Sequence, residues 1–207
     1  MLPLLLPLLL LPTAYPLALP PRDAPAALPR IASVSYSGTG CPSSSPAVDR
    51  TGASWADLAF RMNGFEAAVP GSIESSTANC QVHVQAAGTT AGWQVGLRDV
   101  SVRGHAVLDP GAALEYYVTS FWSQDAGNTI TIRGTLPNTG AARLDADVVA
   151  HTTITDDQVV WSPCAGADGN LGLLNVNFRV ALQADGNQYG FFGKAPTESW
   201  GYVWRRC

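Results

Sequence analysis

The chain has 207 residues and a formal net charge of −4, and its basic residues are scattered, which excludes a phosphate-binding surface for nucleic acid. Hydrophobic residues make up 46% of the chain, enough for one ordinary domain with a buried core. Beyond the amino-terminal stretch no apolar run reaches membrane-spanning length, so no membrane partner is expected after that stretch is removed.

The first residues, MLPLLLPLLLLPTAYPLAL, predict a signal peptide over residues 1–19. Proline interrupts the leucine run too often for a stable transmembrane helix. Residues 20–30, PPRDAPAALPR, are rich in proline and alanine and predict a pro-segment or disordered linker. We therefore expect a secreted, extracellular domain over residues 31–207.

Period-two alternation of apolar residues dominates this domain, and helical periodicity is nearly absent. The clearest strand is LLNVNFRVALQ at 173–183, where Val176 and Phe178 fall on one face and Asn175 and Asn177 on the other. Asp-Gly-Asn triplets at 168–170 and 185–187 predict turns. Further strands are predicted at 31–37, 54–60, 80–87, 92–109 (two strands or one bulged strand), 113–123, 128–136, 148–155, 158–164 and 198–207. So many short strands predict an all-β fold, a single antiparallel β-sandwich or jelly roll.

Four cysteines, Cys41, Cys80, Cys164 and Cys207, predict two disulfides in an exported protein. Three pairings are possible. We prefer Cys41–Cys80 with Cys164–Cys207, because each bond would then tie a terminal strand of the domain to a strand one or two hairpins away. Each bond closes a loop of about 40 residues, which the chain-entropy model values at roughly 4 kcal/mol. The last cysteine would then clamp the final strand.

Seven short strings resemble, in this order, a family of small fungal secreted proteins filed as a domain of unknown function. They are GCP (40–42), NCQVHV (79–84), GWQV (92–95), VSVRG (100–104), WSPC (161–164), LNVN (174–177) and WRRC (204–207). The resemblance covers nearly all of residues 31–207 and implies a secreted all-β domain with two disulfides. It implies no activity and assigns no catalytic residue. This chain has His105 where members usually have an aromatic residue, and His83 in a strand that is often rich in asparagine.

The segment LDADVVAHTTITDD contains the densest group of acidic residues and one histidine. Two carboxylates across a groove could act as acid and base in glycoside cleavage. Acidic residues at strand ends more often keep turns and edges soluble, and this interpretation is favoured here. The three histidines are too widely spaced for a metal motif, so no metal and no other cofactor is expected. The candidate catalytic residues are Asp145, Asp147, His151, Asp156 and Asp157.

Aromatic residues are the most suggestive feature. On the strand ALEYYVTSFWS, Tyr116 and Trp122 share one face and Tyr117 and Phe121 share the other, so at least one face should expose rings. Exposed rings can stack on the apolar face of a sugar, and we predict a ligand platform from Tyr116, Tyr117 and Trp122. The row at 200, 202 and 204 is interpreted as core instead, because the opposite face carries the charge.

The leading hypothesis is a non-enzymatic, monomeric binding module for a polysaccharide or another surface ligand. A second hypothesis is a carbohydrate-active enzyme that uses a pair of the aspartates above. A third is a host-directed effector or inhibitor that contacts a host surface protein through its loops.

Overall fold

The computed structural model describes residues 24–44, 47–52, 54–69 and 76–207. The predicted signal peptide, residues 1–19, and residues 20–23 of the predicted linker lie outside these ranges. Within them, no helix is long and apolar enough to cross a membrane.

The described ranges contain one short 3-10 turn, Ser123–Asp125, and eleven strands. The strands are β1 Arg30–Ser37, β2 Val48–Arg50, β3 Ala59–Met62, β4 Ala67–Val69, β5 Thr77–Ala87, β6 Trp93–Leu108, β7 Ala113–Trp122, β8 Ile130–Pro137, β9 Leu144–Thr153, β10 Leu173–Gln183 and β11 Gly190–Arg206.

These strands form two antiparallel sheets that pack as a sandwich. Sheet A has the order β1-β5-β10-β7-β8, and sheet B has the order β2-β3-β11-β6-β9, with β4 paired to the beginning of β11. The predicted all-β, antiparallel sandwich is therefore confirmed. The long strand β11 lies in the middle of sheet B, between β3 and β6.

The core fills the space between the inner faces of the sheets. Val176 and Phe178 of β10 are fully buried, and the ring of Phe178 lies 6.4 Å from that of Phe192 in sheet B. Asn177 of the same strand is half-buried on the outer face. The alternation that predicted β10 thus describes its two faces, because one face borders the core and the other borders solvent.

Several strand boundaries differ from the prediction. Residues 54–57 form a bend and turn, and β3 begins only at Ala59. Residues 158–164 form no strand and contribute one isolated bridge, between Trp161 and Gly96. The stretch 92–109 is a single strand, β6, whose pairing with β11 skips Arg98. This irregularity is a β-bulge, which bends a strand and changes the direction of a side chain.

Two disulfides join Cys41 to Cys80 and Cys164 to Cys207, the preferred pairing. The first ties the loop after β1 to β5. The second ties the loop after β9 to the end of β11, and the backbone N–H of Cys207 also donates to the carbonyl of Gly92 at 3.1 Å. The end of β11 is therefore held by both a covalent bond and a hydrogen bond.

The described part of the predicted pro-segment or linker, residues 24–29, lies on the domain. Pro25 and Pro29 are buried. The Ala27 carbonyl accepts hydrogen bonds from the Thr89 hydroxyl (2.8 Å) and the Thr90 backbone N–H (3.3 Å), and the Ala27 N–H donates to Thr90 Oγ1 (3.1 Å). Backbone groups of Ala27 make these contacts, and a composition rich in proline and alanine does not indicate them.

Candidate functional site

Trp122 cannot belong to an exposed platform. Its side chain is fully buried, and its indole N–H donates to the Val160 carbonyl at 3.2 Å. Tyr116 shares this inner face of β7, as the alternation predicts, and its hydroxyl donates to the His151 carbonyl at 3.0 Å. Because His151 belongs to β9 of sheet B, Tyr116 bridges the two sheets. The prediction of a ligand platform is therefore wrong for Trp122, and Tyr116 has a structural role.

Tyr117 lies on the outer face of sheet A and is half-buried. Its hydroxyl donates to Glu115 at 2.7 Å, and this hydrogen bond raises the pKa of Tyr117 and lowers the pKa of Glu115. The guanidinium carbons of Arg133 and Arg179 lie over its ring, at 5.9 and 5.8 Å from the centroid. The ring therefore already has two cationic neighbours, and a role in ligand binding stays a prediction.

Asp145 and Asp147 lie on β9 with His105 of β6 between them. The imidazole Nε2 is 2.9 Å from Asp145 Oδ1, and Nδ1 is 3.0 Å from Asp147 Oδ1. The two carboxylates are largely exposed, with 66% and 94% of each side chain accessible. Because each ring nitrogen faces its own carboxylate, a protonated imidazole can donate to both. This arrangement is a hydrogen-bonded cluster on the surface of sheet B.

Asp156 and Asp157 lie in the loop that follows β9. Thr153 lies six positions after Asp147 along an extended strand, a distance of about 20 Å, and Asp156 lies beyond that end. Carboxylate pairs in glycosidases are only about 5–10 Å apart. Asp156 instead pairs with Arg98, and Asp157 accepts a hydrogen bond from Thr155 at 2.6 Å. The acidic candidates are thus divided between two places.

His151 is engaged with polar side chains of sheet B. Its Nδ1 lies 2.8 Å from the Ser101 hydroxyl, and its Nε2 lies 3.1 Å from the Thr153 hydroxyl and 3.7 Å from the Asp99 carboxylate. In the described ranges, no group of three or more His, Cys, Asp or Glu side chains is placed to hold a metal ion.

A group of partly accessible rings lies beside the Cys164–Cys207 bond. Trp161 precedes Cys164 by three residues, and Trp204 precedes Cys207 by three residues. The disulfide therefore brings the two tryptophans to the same end of the sandwich, and both are half-buried. Alternation and composition did not predict this site. The repeated W-x-x-C spacing, read together with the preferred pairing, is the signal that could have revealed it.

Trp161 separates two surface depressions, which we call the first and second depressions and together the groove. The first has a volume of about 440 Å³. Its wall combines the indole with polar side chains that lie on β6, on β11, in the loop after β9 and in the connection from β7 to β8. Its lining residues are Gln94, Gln124, Asp125, Asn128, Trp161, Ser162, Pro163 and Arg205.

The second depression has a volume of about 420 Å³ and contains more aromatic surface. Arg98, displaced from the pairing of β6 by the bulge, forms an ion pair there with Asp156. This pair is worth little stability because the side chain of Asp156 is 85% exposed. The lining residues are Ala24, Arg98, Asp156, Trp161, Tyr202, Val203 and Trp204.

Arginines of β11 stack on tryptophans next to the groove. The guanidinium carbon of Arg205 lies 4.2 Å from the centroid of Trp161, and that of Arg206 lies 4.3 Å from the centroid of Trp93. The Nε–H of Arg205 donates to Gln94 at 2.9 Å, and Gln94 in turn donates to the Ser162 carbonyl at 2.5 Å. These contacts hold the Trp161 ring and the guanidinium in a fixed arrangement.

Behind the groove, β11 carries a buried acidic residue. Glu198 is completely buried, and its Oε1 accepts a hydrogen bond from the Trp200 indole at 2.6 Å, while Oε2 has no partner among the described residues. Burial raises the pKa of Glu198 to about 7, against the opposite effect of the Trp200 hydrogen bond. Burial, and then the nearby Glu198, raise the pKa of Tyr202 well above its ordinary value. The carboxyl group is therefore partly neutral near physiological pH.

Comparisons with known proteins give a family but no activity. A search of curated proteins finds no match. Among solved structures, one that resembles this chain is TmCBM61 in complex with β-1,4-galactotriose, at 12% identity over 86% of this chain and 91% of the other, with a TM-score of 0.25. A TM-score this low supports no argument about a binding site. The model of the family described as a domain of unknown function, DUF4360, matches residues 27–207. The chain therefore belongs to the DUF4360 family.

Proposed function

We propose that this protein is a secreted binding module that holds a neutral polysaccharide in the groove on either side of Trp161. Export and a fungal origin are parts of this proposal, based on the leucine-rich amino terminus and on the ordered strings that resemble small fungal secreted proteins. The two disulfides and the sandwich fold are compatible with an extracellular location.

The observation that carries the proposal is the position of Trp161 as the partition between two depressions lined by aromatic and polar side chains. Sugar rings present apolar faces that pack on indole surfaces, and hydroxyl groups that need hydrogen-bond partners. Asp125 and the Asn128 carboxamide line the first depression, and both are exposed. A carboxylate accepts from sugar hydroxyls, and an amide both donates and accepts.

The charges in the groove favour a neutral ligand over an acidic one. Two arginines, Arg98 and Arg205, line it together with two aspartates, Asp125 and Asp156. One of these arginines already has a carboxylate partner. Arg205 and Asp125 are the other two charged residues of the groove, and their charges are opposite. An acidic sugar chain would have to approach Asp125, so the groove offers it no electrostatic advantage over a neutral chain.

An enzymatic role has less support than a binding role. The hypothesis pairs two of the predicted aspartates, but Asp145 and Asp147 hold His105 between them on sheet B, and Asp156 is paired with Arg98 in the groove. The other carboxylate of the groove, Asp125, lines the depression on the opposite side of Trp161. A binding module needs only the rings and the hydrogen-bonding groups that line the groove.

The test is retention of the secreted protein on chitin, β-1,3-glucan, cellulose and β-1,4-galactan, followed by affinity electrophoresis with a soluble form of any polysaccharide retained. Trp161→Ala should weaken binding about tenfold, since one ring contact contributes about 1 kcal/mol or slightly more. Asn128→Ala should also weaken binding without affecting the core, because Asn128 is exposed.

Tyr117→Ala is the matched control, because it removes a half-buried ring from the opposite sheet. If Tyr117→Ala abolishes retention while Trp161→Ala does not, the ligand binds to sheet A and the groove is not the site. If the wild type is retained by none of the four polymers, the proposed function fails. Added salt should leave the binding nearly unchanged, because the ligand carries no charge.

A further inference from the structure

A short segment of chain crosses the aromatic surface next to the groove. Residues 24–28, which we call the strap, have Ala24 in the wall of the second depression and Leu28 in the wall of a third one, with a volume of about 180 Å³. Both depressions also share Tyr202 and Trp204 in their walls. The strap therefore runs between two depressions that have a common aromatic floor.

The third depression continues the row of rings. Trp55 stacks on Tyr202 with centroids 4.6 Å apart, and Trp200 packs edge-on against Tyr202 at 6.5 Å. With Trp161 and Trp204, these rings extend from the first depression to Leu28. The remaining lining residues are Ala56 and Gly201.

Two hydrogen-bond donors in this wall are buried and unsatisfied. The Trp55 indole N–H and the Tyr202 hydroxyl have no partner among the described residues. A buried donor without a partner costs about 1–3 kcal/mol, so such groups usually have an acceptor in the working state of a protein. Sugar hydroxyl and ring oxygens are acceptors of the right kind.

The strap is attached by the buried Pro25 and by three hydrogen bonds of the Ala27 backbone. Two of its hydrogen bonds depend on hydroxyl groups, from Thr89 to the Ala27 carbonyl and from the Ala27 N–H to Thr90. Leu28 is 43% exposed, and in the described ranges only Val149 is another large apolar side chain of comparable exposure. A half-exposed leucine gains little from burial and can be displaced at small cost.

We infer that the strap closes a continuation of the groove, and that a long neutral polysaccharide chain displaces Leu28 and occupies the third depression. This inference rests on the proposed function, because it extends the same groove. Sugar oxygens then accept hydrogen bonds from Trp55 and Tyr202. Short oligosaccharides bind only in the first and second depressions and leave the strap in place.

The test compares a disaccharide with a hexasaccharide of each of the four panel polymers, by calorimetry on the secreted protein. Thr89→Val/Thr90→Val removes the two hydroxyl ties, and Leu28→Ser removes the apolar side chain. Each should bind the hexasaccharide at least about fivefold more tightly than the wild type, with disaccharide affinity unchanged, because the binding-competent form becomes more populated. Thr119→Val/Thr131→Val is the control, since it removes a hydroxyl pair at 2.8 Å on the outer face of sheet A.

Hydrogen exchange gives a second measurement. The hexasaccharide should accelerate exchange of the Ala27 and Thr90 amides in the wild type, because both amides donate within the strap contacts. Equal hexasaccharide affinities in wild type and strap variants, or exchange at these amides that the ligand does not change, would overturn the inference. If binding depends on Trp161 but not on the strap variants, only this inference fails. If neither the wild type nor the strap variants bind, the proposed function fails with it.

Discussion

Replacing Glu198 with glutamine is expected to stabilise the protein at neutral pH and to remove most of a pH dependence that the wild type shows in mildly acidic solution. Glu198 is completely buried, and within the part of the chain that the structure describes only one of its two oxygens has a hydrogen-bond partner, the Trp200 indole. A glutamine side chain keeps an acceptor for that indole and has no charge to desolvate. Its amide N–H₂ group has no evident acceptor, which offsets part of the gain.

The size of the effect follows from the pKa of Glu198, which burial raises from an ordinary 4.5 to about 7. Between these pH values the folded state holds a proton that the unfolded state has lost, so stability falls as pH rises. The contribution of Glu198 is fully favourable below about pH 4.5 and is lost by about pH 7. A shift of this size corresponds to about 3 kcal/mol, at 1.36 kcal/mol per pKa unit.

The measurement is urea unfolding of wild type and Glu198→Gln between pH 5 and pH 8 with both disulfides intact. The difference between the two proteins should increase with pH in favour of the variant and level off above pH 7. Glu66→Gln, at an exposed position, should give a curve parallel to the wild type. Parallel curves for Glu198→Gln and the wild type would refute the reasoning, because they would show that Glu198 is ionised in the folded protein throughout this range.

Two further predictions follow from the disulfides and from one close contact. Removing the Cys164–Cys207 bond with a double serine variant should lower the free energy of unfolding by about 4 kcal/mol and abolish polysaccharide binding, because the groove loses the bond that holds its tryptophans together. Removing Cys41–Cys80 should lower the free energy of urea unfolding by a similar amount but leave binding intact below the unfolding transition. Equal binding losses in the two variants would contradict this prediction. Gly104→Ala should lower the free energy of unfolding by about 1–3 kcal/mol, because the added methyl group would lie 2.6 Å from Cζ of Phe192. Gly127→Ala is the control and should leave the unfolding midpoint nearly unchanged, because its methyl group would have no neighbouring atom of the described residues within 4 Å.

Much of the fold could be predicted from alternation and from the cysteines. The strand at 173–183 was predicted with its observed bounds, because its inner face packs on the core and the middle of its outer face carries Asn175, Asn177 and Arg179. The three-residue strands β2 and β4 were not predicted, since three residues are too few for a periodic pattern. Residues 158–164 look like a strand because Val159, Val160 and Trp161 are apolar, yet they contact the core from a loop.

The candidate site was harder to predict, because alternation places side chains on faces without saying which face is buried. On β7 both faces carry rings, and Trp122 is buried because its face points to the partner sheet. The groove depends on contacts between distant parts of the chain, such as Trp161 with Arg205 and Arg98 with Asp156. The disulfide pairing and a bulged strand over 92–109 were among the expectations from the sequence, but a local pattern does not show which distant side chains they bring together.

The central position of β11 has a consequence for how the molecule is made in the cell. Every partner of β11 in sheet B precedes it in the chain, and its pairing with β3 spans more than a hundred positions of sequence. A ribosome therefore exposes β3, β4 and β6 before the strand that joins them exists. Sheet B therefore stays incomplete, with unpaired strand edges, until β11 has been synthesised. This order of synthesis predicts slow folding and a dependence on chaperones during export.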